Sequence, residues 1–77
     1  MPIYYFDCND NGQCLFDSVG SELADDKRAQ KEAMSALFEI VRSSAEIGRR
    51  KIEIKIRDSS GRIFYAVSLS FEGRSMD

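Results

Sequence analysis

The segment DDKRAQKEAMSALFEIVRSSAEIG, residues 25–48, reads as one long amphipathic helix, and the rest of the chain is strand and turn that need it as a cover. Ala29, Ala33, Ala36, Leu37, Ile40, Val41 and Ile47 follow the i, i+3, i+4, i+7 spacing of one helical face. Glu32, Ser35, Glu39, Arg42, Ser43 and Glu46 fall opposite, on the side that water should wet. Asp25 is placed to cap the N-terminus, because its carboxylate can accept from a free backbone N–H in the first turn. Asp26 adds negative charge where the helix dipole is positive. Gly48 is placed to end the helix at C′, and Arg49, Arg50 and Lys51 suit the negative end of the dipole. A helix of about 22 residues is roughly 33 Å long. A strand of about seven residues spans only ~23 Å, so the helix should overhang its sheet.

The apolar arc is wider than one sheet face covers. Met34 and Phe38 lie well round towards the polar side. They can fold down over the sheet edge within one subunit, since single exposed apolar residues are ordinary. They can also form a self-association surface, because small domains bury a modest fraction of their surface and gain by pairing. Leu37, at the centre of the arc, should pack on Ile54 and Val67.

With 77 residues there is room for one domain, taken as residues 1–72 followed by a flexible tail at 73–77. An apolar content of 43% supports a small core and excludes a disordered chain. A net charge of −2 argues against bulk attraction to nucleic acid or anionic lipid. No apolar run approaches the ~20 residues of a membrane span. The opening Met-Pro-Ile-Tyr-Tyr-Phe-Asp has neither the basic region nor the apolar run of a signal peptide, which leaves the cytoplasm as the expected location.

Along the chain, residues 3–8 form the first strand, with Tyr4, Phe6 and Cys8 on one face and Ile3, Tyr5 and Asp7 on the other. Asn9-Asp10-Asn11-Gly12 is turn chemistry, and residues 13–17 return as the second strand of a hairpin. A loop centred on Asn11 would set Cys8 opposite Cys14, both as free thiols. Residues 51–57 alternate Ile52, Ile54 and Ile56 with Lys51, Glu53, Lys55 and Arg57, so one face is buried and one wet. After the turn Asp58-Ser59-Ser60-Gly61, residues 62–72 form the last strand. Ile63, Tyr65, Val67, Leu69 and Phe71 are expected towards the core, with Phe64, Ala66, Ser68 and Ser70 outward. The expected fold is α+β: β-β-α-β-β, a four-stranded, mostly antiparallel sheet in the order 2-1-4-3, with the helix packed on one face. The first and last strands, being the most apolar, take the middle.

The opening residues, then Asp17-Ser-Val-Gly20-Ser-Glu22-Leu23-Ala-Asp25, then Ala29 and Ala33, resemble a family of small bacterial domains of unknown function. Its members open M-P-x-Y-F-F, carry a D-x-x-G-x-E-L-x-D run, and continue with an Ala-rich helix and two closing strands. The resemblance covers nearly the whole chain. This sequence departs in having Asp26 where a hydrophobic residue often follows, and Cys14 in the second strand. The resemblance implies a fold and a bacterial source, and no activity. In physical terms Gly20 permits a turn, Leu23 staples the helix start and Asp25 caps it. Asp17 and Glu22 read first as loop and cap carboxylates; as two acidic groups near a helix N-terminus they are also candidates for a ligand-binding or catalytic role, which the lack of histidine makes the weakest reading.

The chemistry is sparse. There is no histidine, which removes the commonest general base and metal ligand and any Ser-His or Cys-His pair. Two cysteines are too few for a four-thiolate zinc site. Asn9-Asp10-Asn11-Gly12 has a faint likeness to a calcium loop but lacks the closing Glu, so a type I′ or bulged turn is the reading. Gly12 and Gly20 stand alone, not in a phosphate loop. The expectation is a chain without catalytic residues, cofactor or metal. It is a non-catalytic protein-interaction or regulatory module acting as a homodimer, with Met34 and Phe38 at the contact. The alternative is nucleic-acid binding through the open sheet face, where Tyr5, Phe64, Lys55 and Arg57 could form an aromatic and basic platform. Net acidity counts against that alternative.

Overall fold

The computed structural model describes residues 1–43 and 48–76. The elements are β1 (Ile3–Asp10), β2 (Gln13–Leu15), β3 (Ser21–Glu22), α1 (Asp26–Ser43), β4 (Arg49–Arg57) and β5 (Ile63–Glu72). They form an α+β fold, a single antiparallel sheet with α1 laid across β4 and β5 on one face. The expected helical turn over residues 44–47, with Glu46 and Ile47, lies outside the described residues. Residues 73–76 form neither helix nor strand.

The sheet runs β2-β1-β4-β5, with β3 on the free stretch of β1 beside β2. The expected order is corrected here: the last strand lies at the edge, and β4 stands beside β1 in the centre. Alternation of isoleucine and charge in β4 shows only that its second face is wet. It does not separate a central strand from an edge strand in a sheet covered on one side. Ile52, Ile54 and Ile56 are in fact among the most deeply buried residues of the chain.

The hairpin loop is the two residues Asn11 and Gly12, at φ 53° and 91°. Two positive φ values make a type I′ turn, whose twist matches that of the strands it joins. The loop closes on the pair Asp10↔Gln13, so Cys8 stands opposite Leu15 and Cys14 opposite Asn9. The expected Cys8–Cys14 pairing is therefore wrong by one residue. Because strand side chains alternate, the slip puts the two thiols on opposite faces of the sheet.

Asp25 caps α1: its Oδ1 accepts from the Arg28 N–H at 2.8 Å. Ala29, Ala33 and Leu37 are fully buried against Tyr4 and the three isoleucines of β4. The alanines let the helix approach the sheet closely, and Leu37 fills the remaining depth. Ala36, Ile40, Val41, Val67, Leu69 and Phe71 pack around this centre, half-buried.

Near its start β5 carries a β-bulge. Ile56 pairs with Tyr65 but Arg57 pairs with Ile63, so Phe64 is the extra residue. An extra residue reverses the alternation on its far side. Two expectations change accordingly. Ile63 turns out to the open face beside Arg57, where it is exposed. Phe64 turns in, with its ring 5.9 Å from that of Tyr4.

Candidate interaction surfaces

Asp7 and Asp17 build the centre of the open face around Arg57. Arg57 Nε donates to Asp7 Oδ2 at 2.7 Å, and Nη2 donates to Asp7 Oδ1 at 3.2 Å and to the Asp17 carbonyl at 2.8 Å. Its guanidinium lies 4.8 Å from the centre of the Tyr5 ring and 4.1 Å from that of Phe16. Hydrogen bonding to Arg57 holds the Asp7 carboxyl below the ordinary value against the opposing pull of burial. The Asp17 carboxylate ties down the loop after β2. It accepts from the N–H groups of Phe6, Val19 and Gly20, each at 3.0 Å. Burial works to raise its pKa, but those N–H groups outweigh it and hold the carboxyl low.

This arrangement fixes Gly20. Its φ is 81°, and a Cβ there would stand 2.7 Å from Ile3 Cγ2 and 2.9 Å from Tyr5 Cε1. Only a glycine lets the loop lie flat on β1 and continue into β3. Reading residues 13–17 as strand hid Phe16, which sits in that loop as the second aromatic face on Arg57. The one signal for it was an aromatic residue directly before a loop aspartate. Glu22 lies on β3 with an exposed side chain.

The platform of Tyr5, Phe64, Lys55 and Arg57 does not assemble. Phe64 lies on the helix side, and the Arg57 side chain is only 17% exposed and already neutralised by Asp7. Lys55 stands opposite Asp7 and 3.9 Å from Glu53, so the face alternates in sign. Between β2 and β4 a shallow cleft of about 250 Å³ is bounded by Asp7, Asn9, Cys14, Phe16, Lys55 and Ile63. Among the described residues no three Asp, Glu or Cys side chains converge as metal ligands.

On the helix side Met34 and Phe38 are 39% and 56% exposed. They adjoin one another on α1: Phe38 lies among Arg28, Lys31, Glu32 and Ser35 of the helix, and Met34 lies on the flank towards β5. Met34 shares a shallow depression with Lys27, Gln30, Lys31 and Tyr65. At the far end of the sheet, Arg50 pairs with both carboxylate oxygens of Asp10, with Nε to Oδ1 at 2.8 Å. Hydrogen bonding to Arg50 keeps the Asp10 carboxyl below its ordinary value. Cys8 is half-buried, and burial pushes its thiol pKa up.

A family model described as Domain of unknown function (DUF6894) matches residues 3–70. The chain belongs to that family. The match takes in β1 through most of β5, so the sheet, its helix and both surfaces lie within the family domain. No curated protein and no solved structure matches the chain. No helix among the described residues is long and apolar enough to cross a membrane.

Proposed function

We propose that this protein is a non-catalytic protein-interaction or regulatory module that acts as a homodimer in the cytoplasm. The observation that carries the reading is the position of Met34 and Phe38. Phe38 keeps more than half of its surface in water, and Met34 beside it more than a third. Burying one phenylalanine is worth ~1.5–3 kcal/mol, and a two-fold axis counts each such contact twice. The charged groups at the centre of the open face, Asp7, Asp17 and Arg57, bind one another and the backbone around them. Asp7 and Asp17 serve Arg57 and the β2–β3 loop, which supports a structural role for them over acid–base work.

Light scattering on the wild-type chain and on Phe38→Glu tests this. The wild type should show twice the chain mass of 8.7 kDa, and the variant a folded monomer with an unchanged circular dichroism spectrum. A wild type that is monomeric at high micromolar concentration refutes the homodimer.

A further inference from the structure

The dimer reading can be carried to a surface and a register. At one edge of the sheet, β1 is covered by the short strands β2 and β3. At the other, β5 is ten residues long and, among the described residues, pairs only with β4. Natural edge strands carry charges, prolines or bulges that discourage pairing with another chain. The run Ile63 to Phe71 has no charge, no proline and no glycine, in a chain that is 31% charged. Its one bulge sits at the start, at Phe64, and leaves the stretch from Tyr65 onward regular.

The backbone alternation shows which groups of β5 are free. Asp10↔Gln13 closes a two-residue loop, so this pair exchanges hydrogen bonds. Alternating across β1 and β4, Asn9↔Glu53 does the same, and Ile52, Ile54 and Ile56 aim their backbone groups at β5. The Gly73 N–H bond to the Gly48 carbonyl at 3.0 Å continues that alternation. Tyr65, Val67 and Leu69 therefore bond to β4, while Ala66, Ser68 and Ser70 point their N–H and C=O groups out from the edge.

We propose that two copies of this chain join through β5, antiparallel about a two-fold axis at Ser68, into one continuous sheet. This register rests on the homodimer reading above and gives it a place. Ser68 is the midpoint of residues 65–71, the regular stretch between the bulge and Glu72. About it, Ser68 meets the partner's Ser68 and Ala66 meets the partner's Ser70 on the open face, all with outward backbone groups. On the helix face Val67 meets the partner's Leu69, and Tyr65 the partner's Phe71. Within residues 65–71 apolar residues thus oppose apolar ones, serines oppose serine or alanine, and no charge is present.

The helices fit the same axis. α1 lies over β4 and β5, so with strands ~4.8 Å apart the helices of two copies run about 10 Å apart, the ordinary spacing of packed helices. The flanks that meet are those bearing Met34, with Phe38 beside it on the helix. The two-fold sets the helices antiparallel, which keeps Lys27 and Lys31 of one copy away from those of the other.

Two variants test the register. Ser68→Pro removes an N–H that β4 does not use, a change an edge strand tolerates. It should give a folded monomer. Ser68→Cys, in a background of Cys8→Ala and Cys14→Ser, sets two thiols opposite each other on the axis. Mild oxidation should link it into a covalent dimer far faster than Ser18→Cys, on the opposite edge, in the same background. A wild-type dimer whose Ser68→Cys variant links no faster than Ser18→Cys overturns the β5 register and leaves the homodimer standing. A monomeric wild type overturns both. Should Ser68→Pro fail to fold, the linking rates decide alone.

Discussion

Asp17 joins three things at once: the loop after β2, the start of β3 and the carbonyl that Arg57 holds. Its side chain accepts three backbone N–H groups, those of Val19 and Gly20 in the loop and that of Phe6 on β1. Asn offers one acceptor oxygen in place of two and turns donors towards donors. Asp17→Asn should cost about 1–3 kcal/mol in urea unfolding, the usual cost of stranding partly buried donors. A midpoint shift within error would mean that Gly20 and the aromatic stack on Arg57 hold the loop unaided. Before the structure, Asp17 was legible as a loop carboxylate, because D-x-x-G is turn chemistry. Its partners Phe6 and Arg57 were not, since they are 11 and 40 residues away and no local pattern links them.

For the elements, periodicity reads well where one face is dry. α1 emerged from its apolar spacing, its cap from Asp25, and β4 from its isoleucines. What periodicity lacks is any measure of neighbours. The strand order was misjudged because β5 owes its apolar look to the helix covering one face, and β4 owes its polar look to the open face. The bulge at Phe64 could not be read for the same reason: Ile63-Phe64-Tyr65 is apolar throughout, so a one-residue slip leaves no trace in the pattern. The Cys8–Cys14 pairing failed on loop length alone. Leu37 tests the helix–sheet contact. It is 1% exposed at the centre of the helix–sheet contact. Leu37→Ala should destabilise by about 2–5 kcal/mol, the range for truncating a large core residue. A loss below ~1 kcal/mol in urea would mean that α1 is held chiefly by its ends.

The whole molecule is tied together by carboxylates, and this sets its response to acid. Asp7 and Asp10 each bind an arginine on β4, Asp17 pins the loop, and Asp58 closes the β4–β5 turn through Ser60 and Arg62. The first three are held below their ordinary value of 3.8. Asp58 is lowered to about 2, chiefly by the Ser60 hydroxyl and the Arg62 N–H. A folded-state pKa below the unfolded value means that the unfolded chain takes up protons first. The stabilisation is therefore complete above about pH 4 and is lost as pH falls through the folded values towards 2. Tyr4 works with the opposite sign. Its hydroxyl donates to Asp26 at 2.7 Å, and that bond, with burial, raises its pKa from 10.0 to about 12. Its contribution is complete below pH 10 and is lost between there and 12. The urea midpoint should therefore fall on acidification below pH 4 and again above pH 10. The series must hold chain concentration fixed, because the stability of the proposed dimer would follow it. Tyr4→Phe should abolish the Tyr4 part of the alkaline fall and leave the acid fall intact. An acid limb that is flat to pH 2 would show that the aspartates contribute nothing net to the fold.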